Sequence, residues 1–340
     1  MAELNLGIVG LGYWGPNLLR NLKDVDGVRV KYMCDMDIRN LEKWRLKYPD
    51  VYPKNDITEL LIDKNLEGIV ISTPAITHYE LARRALECDK NVFIEKPMAK
   101  SIKECSELIE MADKKNLLLM IGHVYEFNPF IDYLKQYIKG GMLGNIKEGW
   151  ARRFAFGPVR SDVGALWDLA SHDVGIFMSL FGKKPVGVSA NGENYESNGE
   201  QKGSIAMHIE FEDGMEGNIC ASWISPIKIR EFMIMGDKQA VRFDEVASDE
   251  NLKFYNRSIA YIEPTETFQK HRFEIRKGDT LIPCIDLKEE PLKTECRHFV
   301  DCIRNNEKPI TGGLYGLNVV RVLAAAEKSL KKKKYIEIKD

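Results

Sequence analysis

Two sets of residues in this chain have types and spacings that can do chemistry. The first is Gly10-Leu11-Gly12-Tyr13-Trp14-Gly15. Glycines at this spacing permit a tight turn and bring a backbone close to a pyrophosphate at a helix N-terminus. Alone, the run also fits an ordinary glycine-rich turn. Its context decides. An apolar strand, Leu4–Val9, leads straight into it, and Trp14–Leu22 reads as a helix with Pro16 in its first turn. A second apolar run then ends in Asp35, placed to accept hydrogen bonds from the ribose hydroxyls of an adenosine. This is a dinucleotide site. NAD is preferred to NADP, because Asp35 and Asp37 repel a 2′-phosphate; Arg39 compensates only if it folds back, and otherwise reads as a solvated helix position.

The second set is Lys96, within Glu95-Lys96-Pro97 at the end of an apolar run, and the pair Asp168 and His172. Four positions apart on a helix, Asp168 and His172 share one face. Taken singly, Lys96 is an ordinary surface charge and the pair a satisfied helix contact. Their joint occurrence downstream of a dinucleotide site makes them candidates. His123, His208, His271 and His298 lie in strand-like or helical surroundings and read as structural. No His-Glu-x-x-His or paired-cysteine pattern supports a metal.

The elements that must position these groups follow from periodicity. Apolar runs at Leu4–Val9, Val28–Cys34, Gly68–Ser72, Asn91–Ile94 and Leu117–Ile121 alternate with helical patterns at Ile38–Tyr48, Thr77–Cys88 and Ile102–Lys115. Strand, helix, strand at this spacing predicts right-handed βαβ units, hence a doubly wound parallel sheet of the Rossmann kind. Beyond Gly122 the texture changes. A helix at Phe130–Lys139, a strand at Ile146–Phe156 and a helix around Ala165–Phe181 precede strands with period-two alternation at Ser204–Phe211, Glu216–Trp223 and Arg230–Met235. These predict a large, mostly antiparallel open sheet. Helices return at Leu292–Asn305 and Leu314–Leu330. The expected division is a Rossmann domain over 1–122, a substrate-binding and oligomerisation α/β domain over 123–312, and a C-terminal helix and strand over 313–340 that pack back on the body.

The combination resembles the Gfo/Idh/MocA oxidoreductases along essentially the whole chain. Glu95-Lys96-Pro97 after the fifth strand, Ser72-Thr73-Pro74 with His78 after the fourth, and Asp168-Leu169-Ala170-Ser171-His172 on a helix of the second domain carry the resemblance. It implies that Thr73, Pro74, His78, Glu95, Lys96 and Pro97 join Gly10, Gly12, Tyr13, Trp14, Gly15 and Asp35 around the cofactor. His78 would line the nicotinamide pocket, and the Lys96–Pro97 bond would be cis. It further implies hydride transfer from a carbinol carbon. Histidine titrates near neutral pH, so His172 would take the hydroxyl proton. Lys96 would polarise the oxygen, and Asp168 would fix substrate and base.

Three finer stretches point to a branch that acts on nucleotide-activated sugars. They are Gly12-Tyr13-Trp14-Gly15-Pro16-Asn17-Leu18, Gly122-His123-Val124-Tyr125-Glu126-Phe127-Asn128-Pro129, and the lead to the catalytic helix with Arg153, Arg160 and Leu166-Trp167-Asp168. By that resemblance the substrate is a UDP-N-acetylhexosamine or its uronic acid, oxidised at C3. Asn128, Arg153 and Arg160 would join Lys96, Asp168 and His172 in holding it, the guanidinium forks gripping a diphosphate or carboxylate. The alternatives are an inositol or free-sugar dehydrogenase or reductase, and a catalytically silent NAD-binding regulator. Family members assemble through the second sheet, which implies a homodimer or homotetramer.

Composition bounds the rest. A net charge of −2 over 340 residues supplies no field to recruit nucleic acid or an anionic membrane. The one charge run, Lys331 to Lys334, suits the C-terminal end of a helix dipole. Seven scattered cysteines without a Cys-x-x-Cys pair fit a reduced compartment, and no leader-like or membrane-spanning run is present, so the expectation is a cytoplasmic protein.

Overall fold

A computed structural model describes residues 3–157, 162–194, 202–262, 272–285 and 289–339. The chain divides into two compact units, one of Met1–Asn128 with Lys288–Arg321, the other of Pro129–Leu287 with Val322–Asp340.

In the first unit, strands β1 (Leu4–Val9), β2 (Val28–Cys34), β3 (Tyr52–Lys54), β4 (Gly68–Ile71), β5 (Asn91–Glu95) and β6 (Leu119–Gly122) form one sheet in the order β3-β2-β1-β4-β5-β6. Every pairing in it is parallel. The order reverses between β1 and β4, so a crevice opens beyond their C-terminal ends. Helices α1 (Gly15–Lys23), α2 (Ile38–Lys47), α3 (Thr58–Leu61), α4 (His78–Glu87) and α5 (Ile102–Lys115) connect the strands. Local chemistry sets their ends. Ser101 accepts the Glu104 amide at 3.2 Å to start α5, and Asn116, in the left-handed region at φ 52°, ends it.

Further on in the second unit are α6 (Pro129–Lys139), β7 (Ile146–Phe156), a π-helical turn at Leu166–Ala170 and α7 (Ser171–Phe181). Strands β8 (Pro185–Asn194), β9 (Lys202–Phe211), β10 (Glu216–Ser222), β11 (Ile224–Gly236), β12 (Ala240–Asp244) and β13 (Leu252–Tyr255) follow. Next come β14 (Ser258–Ile262), β15 (Arg272–Arg276) and β16 (Thr280–Leu281). After α8 (Pro291–Asn305) and α9 (Gly313–Lys332), β17 (Ile336–Glu337) ends the chain. Nine strands make one sheet, β16-β13-β12-β11-β7-β10-β9-β8-β17, antiparallel except for the parallel pair β7 and β10; β14 and β15 form a separate hairpin. Among the described residues, no helix is long and apolar enough to cross a membrane.

The units divide elsewhere than at 122 and 312. Helix α8 belongs with the Rossmann unit because its buried stripe, Leu292, Cys296, Phe299 and Val300, lies in the same core as Leu6, Ile8, Val70 and Phe93. Phe299 meets Phe93 edge-on at 5.6 Å, and each ring buried this way stabilises the unit by about 1.5–3 kcal/mol. Arg20 grips Glu290 with two bonds of 2.9 Å, and Arg304 donates to the Gly27 carbonyl at 2.6 Å.

Candidate active site

In the first unit the predicted cofactor residues gather at strand C-termini. Gly10 has φ +95°, and a Cβ there would stand 2.7 Å from the Ser72 carbonyl carbon. A Cβ on Gly15 would stand 1.9 Å from the Gly10 oxygen, so the turn closes only with glycine. Ser72 locks it, donating from Oγ to that same oxygen at 2.8 Å. Above Gly12 the space is open, with nothing within 4 Å of an added Cβ. Helix α1 begins here with no side-chain cap and no acid in its first turn. Its N-terminal amides and positive dipole end therefore suit an anion. Tyr13 is exposed and Trp14 half-exposed beside the turn.

Asp35 is half-buried at the end of β2. Its Oδ2 accepts the Leu11 amide at 2.7 Å and Asn40 Nδ2 at 3.2 Å, and its Oδ1 accepts the Asp37 amide at 2.8 Å. The carboxylate is fixed by two backbone amides and the Asn40 side chain, with one lone pair of Oδ1 to spare for a ribose hydroxyl. Arg39 is pinned on Asp37 by bonds of 2.9 and 2.7 Å, and it holds that carboxyl below the ordinary range. These residues fit a dinucleotide without a 2′-phosphate.

At the next two strand ends, Thr73 Oγ1 and Thr77 Oγ1 are 2.7 Å apart, and Lys96–Pro97 is cis, as expected. His78 does not line an open pocket. It is 1% exposed, with Nδ1 2.7 Å from the Pro97 oxygen and Nε2 2.9 Å from the Thr73 oxygen. It ties the turn after β4 to the turn after β5. Glu95 accepts the Lys96 amide at 3.3 Å. The Lys96 side chain is half-buried, and its charge, after burial itself, lowers the pKa of the enclosed His123 to about 3. His123 packs edge-on against Tyr315, whose hydroxyl donates to Glu126 at 3.0 Å. Asn128 is half-buried and closes the short turn that follows, its amide bonded to Tyr125.

In the second unit, Asp168 lies on the π-helical turn and His172 one turn on, at the start of α7. Single π turns recur at functional sites. Asp168, Leu169 and His172 form a half-exposed stripe on a segment otherwise buried from Val163 to Phe177. Asp168 Oδ2 accepts from Trp223 Nε1 at 3.3 Å, a partner that period-two reading of the strand before it does not reveal. The helix is seated tightly. Gly149 on β7 pairs with Gly217 on β10, and Phe177 lies over both: a Cβ on either would come within about 3 Å of its ring.

Arg153 is not an open oxyanion receptor. It is 4% exposed, and its Nε and one terminal nitrogen bond the two Asp173 oxygens at 2.9 and 2.7 Å. Glu245 stands 3.8 Å away and also pairs with Arg230 at 2.8 Å. Period-two alternation turns Arg153 inward with Gly149 and Ala151, where a guanidinium needs a buried carboxylate. Arg160 lies outside the described residues.

Comparison with known proteins decides the family. The description "Oxidoreductase family, NAD-binding Rossmann fold" matches residues 4–123, and "GFO/IDH/MocA C-terminal domain" matches residues 131–242. The chain belongs to the GFO/IDH/MocA oxidoreductase family. As a member of that family it is an NAD-binding oxidoreductase, in keeping with the geometry at Gly10–Gly15 and Asp35. The chain is similar to the 2,7-anhydro-N-acetylneuraminate hydratase of Mediterraneibacter gnavus, with 25% identity over 94% of this chain and 88% of that protein. It is also similar to scyllo-inositol 2-dehydrogenase (NAD(+)) of Bacillus subtilis, with 26% identity over 91% and 88%. The fold matches that of UDP-N-acetylglucosamine 3-dehydrogenase GnnA from Acidithiobacillus ferrooxidans, with a TM-score of 0.78, 22% identity and coverage of 98% and 99%.

Proposed function

We propose that this oxidoreductase is an NAD-dependent dehydrogenase that oxidises a secondary hydroxyl of a nucleotide-activated sugar, C3 of a UDP-N-acetylhexosamine or its uronic acid. The carrying observation is the half-exposed stripe of Asp168 and His172 on an otherwise buried, tightly seated helix, in a chain whose NAD-binding unit presents Lys96 at a strand end. The similarity of fold to a UDP-N-acetylglucosamine 3-dehydrogenase supports the substrate class.

In this reading His172 takes the hydroxyl proton as the carbon–hydrogen bond breaks, which is worth about 10²–10⁴ in rate. The Lys96 ammonium hydrogen-bonds the same oxygen and stabilises its developing charge. Asp168, oriented by Trp223, holds substrate and base in register. The Gly10–Gly15 turn and Asp35 would hold NAD, which would supply the hydride-accepting chemistry. Asn128 and Arg160 are the proposed further contacts to the sugar and its oxyanions. The outer face of the nine-stranded sheet, with Trp150 and Phe156 exposed, is the proposed surface for a homodimer or homotetramer.

The test is reduction of NAD, and separately NADP, with UDP-N-acetylglucosamine, its uronate and myo-inositol, an aminotransferase-coupled trap removing any ketone. Reduction of NAD by a UDP-sugar alone supports the proposal. Reduction by inositol alone replaces it with the polyol reading, and NAD bound without turnover across the panel replaces it with a regulatory one.

A further inference from the structure

The helix that carries His172 has little polar surface to fix its rotation. Val174, Gly175, Ile176, Phe177, Leu180 and Phe181 are all buried and leave few directions around α7 open. Apolar burial is not directional, so it seats such a helix without selecting the side that faces out. The floor beneath it is smooth as well: Gly149 and Gly217 offer Phe177 no side chain to lock against.

A directional contact is present at the His172 end. Arg153, 4% exposed on β7, donates from Nε and a terminal nitrogen to the two Asp173 oxygens at 2.9 and 2.7 Å. Asp173 is 1% exposed and lies in the first turn of α7, directly after His172. Two parallel bonds to one carboxylate fix its plane as well as its distance. The spans agree at the other end. Phe181 stands over Gly149. Asp173 to Phe181 is about 12 Å of helix, and Arg153 back to Gly149 is about 13 Å of strand. Helix α7 therefore runs alongside β7 in the opposite sense, with the fork at its start. The guanidinium is itself held in place. Arg153 is directly opposite Arg230 of β11, and Glu245 lies between them, 2.8 Å from Arg230 and 3.8 Å from Arg153. A buried ion pair adds little stability over apolar residues of the same volume, so stability does not account for this one.

We propose that the Arg153–Asp173 fork sets the rotation of α7 and thereby the direction in which His172 points, which makes Arg153 and Asp173 positioning residues. A rotation of about 10° moves a side-chain tip by about 1 Å at the surface of a helix, and an error of that size costs up to about 10²-fold in rate. The rotational role stands on the contacts of α7; its effect on turnover rests on the reading of His172 as the base.

The test uses the full-length double variant R153M/D173L, which removes the fork and leaves no charge buried alone. Its Tm should return close to wild type, while kcat stays at least about ten-fold low with KM and NAD affinity within about three-fold. The side-chain ¹H–¹⁵N resonances of His172, assigned by their loss in H172A, should be shifted or doubled in the double variant. If kcat returns together with Tm, the pair is structural only and the positioning role is overturned. A raised KM at unchanged kcat overturns it in favour of substrate contact. A single, unshifted His172 signal overturns the rotational role. If the double variant does not fold, R153K, which keeps the charge without the fork, replaces it, and wild-type kcat in R153K overturns the proposal. H172A separates the two readings: full turnover there removes the base role, and the His172 resonances of the double variant then decide the rotational role alone.

Discussion

Replacing Arg153 by methionine leaves the Asp173 carboxylate, 1% exposed, without its two charge-assisted bonds of 2.9 and 2.7 Å. Removing one member of a buried pair costs about 3–5 kcal/mol, because the remaining charge stays desolvated. At ~2–4 °C per kcal/mol for a body of this size, the Tm of the second unit falls by roughly 6–20 °C. Replacing both members by apolar residues, R153M with D173L, should restore most of that loss, since the desolvated charge goes with its partner. Calorimetry on the four proteins of the cycle measures both numbers, and substrate KM is measured alongside. Arg153 buried in this pair predicts large destabilisation by R153M and recovery in the double variant. An R153M protein within ~0.5 kcal/mol of wild type but with a greatly raised KM for a UDP-sugar would refute the reasoning and return Arg153 to the substrate.

Three other outcomes follow from the geometry. His123, held to about pKa 3 by burial and then by Lys96, must gain a proton when the chain unfolds between its folded and unfolded values. Its contribution to stability is present above pH ~6.5 and is lost at ~1.4 kcal/mol per pH unit toward pH 3; H123N should flatten that acid limb in urea titrations at several pH values. Gly15→Ala places a Cβ 1.9 Å from the Gly10 oxygen; the turn must open, and NAD affinity measured by fluorescence titration should weaken by at least about ten-fold, the equivalent of 1.4 kcal/mol. Gly149→Ala meets the rings of Phe177 and Phe181 at about 3 Å; it should destabilise the second unit by about 1–3 kcal/mol and lower kcat more than it changes NAD affinity, because α7 carries His172.

Much of this architecture was legible from periodicity and turn chemistry. Leu4–Val9, Val28–Cys34, Ile102–Lys115 and Ile146–Phe156 have the same bounds in the structure as in the pattern, because each is a strongly periodic segment closed by a turn or a cap. The glycine turn and Asp35 were legible for the same reason: local geometry admits few other residues there. What stayed hidden depends on long-range packing. The apolar stripe of α8 announces a buried face without saying which core receives it, so the helix was expected in the second domain. In Gly149-Trp150-Ala151-Arg152-Arg153, alternation sets Arg153 on the face of Gly149 and Ala151 but does not say what a guanidinium meets there; the answer lay twenty residues on, in Asp173 within a buried helix. His78 carries the right chemistry for a pocket, and only the structure shows its buried ring lying between the Thr73 and Pro97 carbonyl oxygens. The π turn beneath Asp168 has no signature in spacing, since i and i+4 share a face in either helix.

The proposed hydride transfer between the sugar C3 carbon and NAD can be followed with an isotopic label. The protein is incubated with NAD and UDP-N-acetylglucosamine carrying deuterium at C3, and the nicotinamide product is examined by mass spectrometry. Reduced nicotinamide carrying the deuterium is expected, with label transfer suppressed in H172A. Reduced nicotinamide without deuterium, or full transfer in H172A, would contradict it.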